Sequence, residues 1–527
     1  MFSISKRPTI SEIHNLYKNK KALPSQVTQF FLNRIKDTDD KINSFFKTSG
    51  QIGIDQARVL DQKLEIIWNL ENELESLEKY NALLDKMPLF GIPFATKAII
   101  MAEGEVFNAS SLVLNNFIAP YSSTVYEKTI NSGGVLIGVN NMDEFAMGAS
   151  GETCAYGVIK NPIDTTRVPG GSSAGAAASV SGGMVVFALA TDTGGSIRQP
   201  ACFTDTVGIK PTYGMVSRHG VIPMASSFDQ VGPISNNVED NLIVLRVLSG
   251  RDKKDQTTID SQQVWEKMDN LYKKRKKTDR QISTISKTYK PLLIGIPSEF
   301  YPSKENTSFN PEILSLLEDL KLKLGGLGHK FVPVSLPLTK YAISVYYITM
   351  SVEVASNLER MDGIRYGMQK KDGYQDLFFD HRGQYFGEEA KRRIMLGTFA
   401  SSSGYYDAYY NRAQKVRELA RRDFENAFKK CDLMLVPTTP ELPFKLGQKS
   451  SDPLSMYLSD VFTCGINPVR IPGLNVPIGF ASEIDKENGK KMLLPTGCQI
   501  LGPELSEDLL YELAFEIETL QKELRVI

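Results

Sequence analysis

Apolar positions recur at helical spacing through residues 9 to 87. Ile13 and Leu16 follow Ser11, which is placed to cap a first helix, and Leu60, Leu64 and Ile67 share one face of a charged helical stretch from about Ile54 to Leu84. From Leu89 onward the pattern changes to short apolar runs alternating with amphipathic helices. Val135 to Val139 reads as a strand after a helix near Thr124 to Ile130, and Met184 to Ala190 reads as a buried run after a small-residue helix from Ala174 to Val180. Leu292 to Ile296 reads as a further strand. Asn310, Pro311 and Glu312 supply an N-cap, a first-turn proline and an acidic residue for a helix ended by Gly325 and Gly326, and Phe331 to Val334 closes the unit as β-α-β. Leu433 to Val436 and Val476 to Gly479 add two strands. Such alternation predicts an α/β fold with a largely buried sheet.

The change of period divides the chain into an N-terminal helical arm over 1–87, packed on the core, and a larger unit over 88–527. A polar stretch from Arg251 to Lys290, with the basic run Lys273 to Lys277, reads as a solvated surface insertion within that unit. The full length is 527 residues, with 61 basic and 61 acidic side chains. Neutrality removes the electrostatic footprint of a protein that holds nucleic acid by itself. No apolar run approaches a spanning helix, so no membrane role is expected, and Met1 to Pro8 lacks the apolar core of a secretory signal. Lys6 and Arg7 leave room for an organellar transit reading, against which Glu12 counts. Five scattered cysteines without a C-x-x-C pair point to reduced thiols and no zinc site, and no metal site is expected. Four histidines, none in a glycine-rich stretch, turn attention away from the commonest general base.

Three segments carry the candidate chemistry. Val168 to Gly175 (VPGGSSAG) leads into the alanine-rich helix, and Thr191 to Arg198 (TDTGGSIR) follows the buried run. Each alone reads as a turn. Neither matches a phosphate-binding P-loop or a dinucleotide fingerprint. The third, Gly91 to Lys97 (GIPFATK), puts a lysine just after an apolar stretch. Lys97 and Ser172 stand 75 residues apart, and Ser172 and Ser196 stand 24 apart.

With these loops and spacings the sequence resembles the amidase signature family from Leu89 to the C-terminal helix. The resemblance implies that family's fold, a central mixed β-sheet covered by helices on both faces. It also implies a Ser-Ser-Lys mechanism, with Ser196 as nucleophile, Ser172 as bridge after a cis peptide, and Lys97 as base. Lysine serves as a base only when uncharged, which requires burial to lower its pKa from ~10.4 towards ~7–8. The turn Thr193, Gly194 and Gly195 suits an oxyanion hole. Ala98 stands where the family often has an acid, which removes one electrostatic partner of Lys97. Ala174 replaces a usual glycine, Gly148 to Glu152 differs from the common version, and stretches near 62–87 and 255–290 look like insertions.

Further segments are similar to the branch that releases ammonia from glutamine inside a tRNA-dependent amidotransferase. They include Met142 to Gly148, Val207 to Thr212, Met361 to Gly367 and Lys391 to Gly397. That resemblance implies glutamine recognition by Tyr346, Arg393 and Asp460, with arginine on the α-carboxylate and aspartate on the α-ammonium. It implies two partners, the B and C subunits of the amidotransferase, with tRNA held mainly by the former. No cofactor is expected in this chain, since ATP and Mg2+ would act on the partner. The compartment would be bacterial cytoplasm or an organellar matrix. Two other readings stand beside it, a stand-alone amidase for other small amides and a scaffold protein with an inactive site.

Overall fold

Alternating strands and helices from Leu89 onward assemble one mixed sheet, in which strand pairing rather than chain order sets the neighbours. The computed structural model describes residues 2–277, 290–301, 309–366, 377–484, 489 and 491–524. Among them are eleven strands: β1 (Phe45–Thr48), β2 (Ile92–Lys97), β3 (Gly134–Asn140), β4 (Phe187–Asp192), β5 (Val207–Lys210), β6 (Gln230–Ser235), β7 (Leu293–Pro297), β8 (Lys330–Val334), β9 (Leu433–Pro437), β10 (Gly473–Ile484) and β11 (Lys491–Leu501). They lie in the order β1-β3-β2-β4-β6-β5-β10-β11-β9-β7-β8. The strands β3, β2 and β4 run parallel, as do β9, β7 and β8, while the middle of the sheet is antiparallel. Helices flank the sheet, as predicted.

Strands β2, β3 and β4 are buried along their whole lengths, as parallel strands covered by helices should be. Phe94 of β2 lies opposite Phe187 of β4, and their rings stack with centroids 5.3 Å apart. Because β2 and β4 are parallel, their C-terminal ends share one edge of the sheet. Lys97 ends β2 and Asp192 ends β4, so the two chemistry-bearing segments meet where α/β sheets bind ligands.

The predicted strands and helices recur with shifted ends. The helix from Pro311 to Gly326 is capped by Asn310, whose Oδ1 accepts from the Glu312 N–H at 2.9 Å, and it links parallel β7 and β8. Val476 to Gly479 proves to be part of a long hairpin of β10 with β11. The first helix is capped by Thr9, one turn's reach before Glu12, and not by Ser11. The charged stretch from Ile54 breaks at Asn69 to Asn72 into helices Gly50–Trp68 and Glu73–Lys86, because the Asn72 side chain caps the second. The polar stretch near 251–290 is not all solvated surface: a helix, Gln262–Lys277, buries Val264 and Met268. Residues 278–289 and Gly367, both within motifs noted above, lie outside the described residues, as do the side chains of Lys273 to Lys277.

The N-terminal segment is more than a helical arm. Its strand β1 pairs with β3 as the edge of the sheet, and its apolar side chains join one continuous core that runs from Ile4 to Ile517. Tyr17, fully buried, donates to the Gly91 carbonyl at 2.7 Å and meets Phe90 edge-on, just ahead of β2. Arg7 pairs with Asp205, and Arg34 donates to the Gly183 carbonyl at 2.9 Å. No helix among the described residues is long and apolar enough to cross a membrane.

Replacing Tyr17 with alanine should therefore loosen the arm and β2 together. Removing a buried ring of this size costs about 3–5 kcal/mol. The expected result is a lower melting temperature with faster limited proteolysis of the arm. Unchanged melting and cleavage would show that the arm is an appendage.

Candidate active site

Lys97 is fully buried, and its Nζ lies 2.8 Å from Ser172 Oγ, 2.9 Å from Ser173 Oγ and 3.0 Å from Thr191 Oγ1. Ser173 spends its own proton on the Thr191 carbonyl at 3.0 Å, so towards Lys97 it can only accept. A neutral amine has two N–H donors and one lone pair. It fits this cage by donating to Ser173 and Thr191 and accepting from Ser172. Burial pushes the Lys97 amine down to about 7, against the pull of the Asp143, Asp192 and Asp229 carboxylates. Ala98 thus takes away an adjacent acid, yet three more distant ones remain.

The two glycine-serine loops are tied to each other and to the strand ends. Ser173 N–H donates to the Ser196 carbonyl at 3.2 Å, and Asp143 N–H donates to the Ser172 carbonyl at 3.2 Å. Gln199 holds the Gly171 N–H at 2.8 Å and donates to the Ala149 carbonyl at 2.8 Å. The Gly171-Ser172 peptide is cis. A Cβ on Gly171 would stand 2.0 Å from Asp143 Oδ2, so only glycine fits there. Asp143 itself accepts from the N–H groups of Gly151 and Thr153.

Asp192 and Arg198 organise the second loop. Both are fully buried, and the guanidinium meets the carboxylate twice at 3.0 Å. Arg198 also reaches Gln499 through Nη1 and Asn467 and the Thr463 carbonyl through Nη2. Its charge holds the Asp192 carboxyl well below the ordinary range, against the opposing effect of burial. The same carboxylate accepts from the Gly195 N–H at 2.8 Å and the Ile197 N–H at 3.1 Å, which curls the turn.

That curl corrects part of the sequence expectation. Gly195 was expected to offer an oxyanion donor, but its N–H is engaged by Asp192. The N–H groups of Thr193, Gly194 and Ser196 have no protein acceptor among the described residues. Thr193 is fixed through its hydroxyl, which donates to Asp229 Oδ1 at 2.7 Å. Ser196 is 8% exposed, and its hydroxyl has no protein partner among the described residues. Of the expected relay, the Lys97–Ser172 link is formed and the Ser172–Ser196 link is open. Such links commonly tighten only around substrate.

Tyr346 lies on the same turn, and Arg393 and Asp460 lie near enough to act electrostatically on its hydroxyl. A Cβ on Gly194 would strike the Tyr346 ring at 2.4 Å, so this aromatic lies directly on the turn. The Thr463 hydroxyl donates to the Gly194 carbonyl at 2.9 Å and its N–H to the Asp460 carbonyl at 3.0 Å, joining the turn to the Asp460 segment. Arg393 is buried, with Nε 2.7 Å from Glu389 Oε1 and its guanidinium 5.2 Å from the Tyr347 ring centroid. Tyr347 stacks on Tyr457 at 3.9 Å, and Tyr457 donates to Glu389 at 3.0 Å. Asp460 is 9% exposed, and its Oδ1 has no hydrogen-bond partner among the described residues. Burial pushes its carboxyl up to about 8, although Arg393 pulls the other way.

Sequence reasoning missed Ser173, Thr191, Asp192, Arg198, Asp229 and Glu389 as parts of this site. Four of them stood inside the two glycine-serine loops, where attention went to glycines and to Ser172 and Ser196. Glu389 precedes Arg393 by four helical positions, a spacing that places them on one face and would have found the pair.

Comparison with known proteins places this geometry in context. A family model described as Amidase matches residues 26–511. The chain is 40% identical over 516 residues to the A subunit of the glutamyl-tRNA(Gln) amidotransferase of Sulfurihydrogenibium sp. (strain YO3AOP1), covering 98% of this chain and 97% of that one. It is 41% identical over 509 residues to the protein of the same name from Persephonella marina, covering 96% of each. Among solved structures, the corresponding A subunit from Thermotoga maritima superposes with a TM-score of 0.72 at 32% identity, covering 98% of this chain and 95% of that one. A peptide amidase from Stenotrophomonas maltophilia has a TM-score of 0.73 at 24% identity over 98% of this chain and 97% of its own, a likeness of fold.

The Lys97 cage predicts how Ser196 reacts. Its rate of labelling by a serine-directed sulfonyl fluoride should rise as pH climbs through about 7, where the amine loses its proton, and level off above. Lys97→Met should slow labelling by about 10²–10⁴-fold, as loss of a general base does. A limb near the ordinary lysine pKa would show that burial does not lower the amine, and labelling unaffected by Lys97→Met would show that the amine is not the base.

Proposed function

The chain belongs to the amidase family, and from that premise we propose that it is the glutamine-hydrolysing component of a tRNA-dependent amidotransferase. Glutamine enters with its α-carboxylate on Arg393, its α-ammonium on Asp460 and its side chain passing Tyr346 towards Ser196. Uncharged Lys97 draws a proton through Ser172, and Ser196 Oγ attacks the carboxamide carbon. The oxyanion forms against the N–H groups of Thr193, Gly194 and Ser196. Collapse expels ammonia, which carries the proton returned along the same hydroxyl path, and leaves a glutamyl ester on Ser196. Water then attacks the ester under the same base and releases glutamate.

The observation that carries this reading is the charge pattern around the turn. Arg393 is buried and balanced by Glu389, whereas the buried Asp460 keeps an unpartnered oxygen, which is costly to ionise without a ligand cation. A free amino acid supplies that cation. Simple apolar amides do not.

The relatives named as amidotransferase components support a place in a multi-subunit assembly. In our reading, B and C subunits complete it, and the ammonia passes to the B subunit. That partner holds tRNA and uses ATP with Mg2+ to activate glutamyl-tRNA(Gln), with aspartyl-tRNA(Asn) as a second acceptor. The absence of net charge agrees with tRNA being held by the partner. The compartment that fits is bacterial cytoplasm or an organellar matrix.

Two substitutions test this reading in the assembled complex. Ser196→Ala should lower glutamine hydrolysis by about 10⁴-fold or more, as loss of a nucleophile does, and full activity would reject the assignment. Asp460→Asn, nearly isosteric, should raise KM for glutamine by about tenfold or more through the lost charged contact. Hydrolysis of a small uncharged amide should change little. Equal losses on both substrates would favour a general amidase.

A further inference from the structure

Away from Ser196 the described residues enclose an open cavity of about 510 Å3, within the range of small-molecule sites. The helix Arg412–Phe428 supplies Arg417, Glu418 and Arg421 to its wall. Pro468 and Arg470 come from the segment before β10, and Glu504 from the loop after β11. None of these residues belongs to the amide site.

The cavity's charges are unevenly matched. Glu418 is taken up by Arg421 at 2.9 and 3.0 Å and by Arg422 at 3.2 Å, and Arg421 also pairs with Glu425. Glu504 lies close enough to Arg421 to strengthen its hold on its proton. Arg417 and Arg470 have no ion pair among the described residues. Arg417 spends Nε on the Pro468 carbonyl at 2.9 Å and Nη1 on Ser227 at 3.3 Å, leaving Nη2 open. Glu353, held on Ser227, offsets its charge from a distance, while neighbouring Arg470 works against it.

Arg470 is held in an unusual way. Its φ is +69°, a left-handed conformation that side chains rarely adopt, and it is pinned by its N–H on the Asn467 carbonyl and its carbonyl on the Tyr213 N–H. Such conformations persist where the surroundings enforce them, often at binding sites. The guanidinium lies 5.0 Å from the Tyr213 ring centroid and makes no side-chain hydrogen bond among the described residues, so its N–H donors remain available.

We propose that this cavity binds the phosphate group of a nucleotide or a nucleic acid strand between Arg417 and Arg470. Two guanidinium groups with open edges suit a tetrahedral oxyanion, which takes donors from several sides, better than a carboxylate, which one fork satisfies. The space is far larger than inorganic phosphate, so the anion is one part of a larger ligand. The site does not depend on the amidase reading, and binding is measured directly, so the two stand or fall separately.

The test uses the full-length protein at fixed ionic strength, titrated by calorimetry with inorganic phosphate, AMP and a short oligouridylate. Arg470→Gly removes the guanidinium while suiting the backbone, and Lys415→Gln changes an exposed lysine on the same helix outside the cavity wall. AMP or the oligouridylate should bind the native chain and the Lys415 variant equally, and the Arg470 variant about tenfold or more weakly. Tighter binding of AMP than of the oligonucleotide identifies a small ligand as the source, and the reverse identifies a nucleic acid strand. Absence of binding by all three probes, or equal affinity in the Arg470 variant, overturns the proposal.

Discussion

An amine stripped of water is the constraint on which this structure turns. Burial alone drives Lys97 towards neutrality, yet three carboxylates close enough to act on it push the other way. The balance holds because each carboxylate has been given other work. Asp192 answers to Arg198, Asp143 to the N–H groups of Gly151 and Thr153, and Asp229 to Thr193 and the N–H groups of Met224 and Ala225. None forms an ion pair with Lys97 among the described residues, and only hydroxyls touch its Nζ. A direct ion pair would fix the charge and abolish the base.

The same economy shapes the turn that carries Ser196. A buried Arg–Asp pair contributes little net stability against an apolar alternative, because both ions give up water. Here the pair has a positional use. Its carboxylate takes the N–H groups of Gly195 and Ile197, and that choice fixes which neighbouring N–H groups stay open beside Ser196. Donors held in place before reaction do not have to be reorganised during it. Asn467 extends this frame, since its side chain donates to Asp192 while its carbonyl pins Arg470 at the edge of the phosphate cavity.

How much of this was legible in the sequence follows from what each feature needs. The strands β3, β4, β7 and β9 were legible, though not their ends, because mostly buried strands are near-continuous apolar runs. Strand β2 went unrecognised, since Pro93 and the polar end at Thr96 and Lys97 break its pattern, although its lysine was singled out. The break at Asn69 to Asn72 and the cap at Thr9 were hidden among residues equally able to cap or to sit on an exposed helix face. At the site, Lys97, Ser172 and Ser196 were readable from motif and spacing. The engagement of Gly195 was not, because it depends on a carboxylate orientation set by Arg198, Asn467 and Gln499, two of them from distant parts of the chain. Pairing across such separations leaves no local trace.

Selectivity then rests on an asymmetry between the two ends of the proposed substrate site. Arg393 is already paired with Glu389 and enclosed by Tyr347 and Tyr457, so it stays charged and rigid whether or not a ligand is present. Asp460 is unpartnered at Oδ1 among the described residues and reluctant to ionise. An incoming ammonium would change that, since a cation beside a buried carboxyl lowers its pKa and restores its charge. In the proposed site the arginine end would be a fixed anchor, and the aspartate end would be completed by the ligand itself. A site built on a polar group left unmet discriminates far more sharply against ligands lacking the partner than an apolar pocket does. On the proposed binding mode an amide without an α-ammonium would leave Asp460 unsatisfied, and the discrimination would arise before Ser196 is reached.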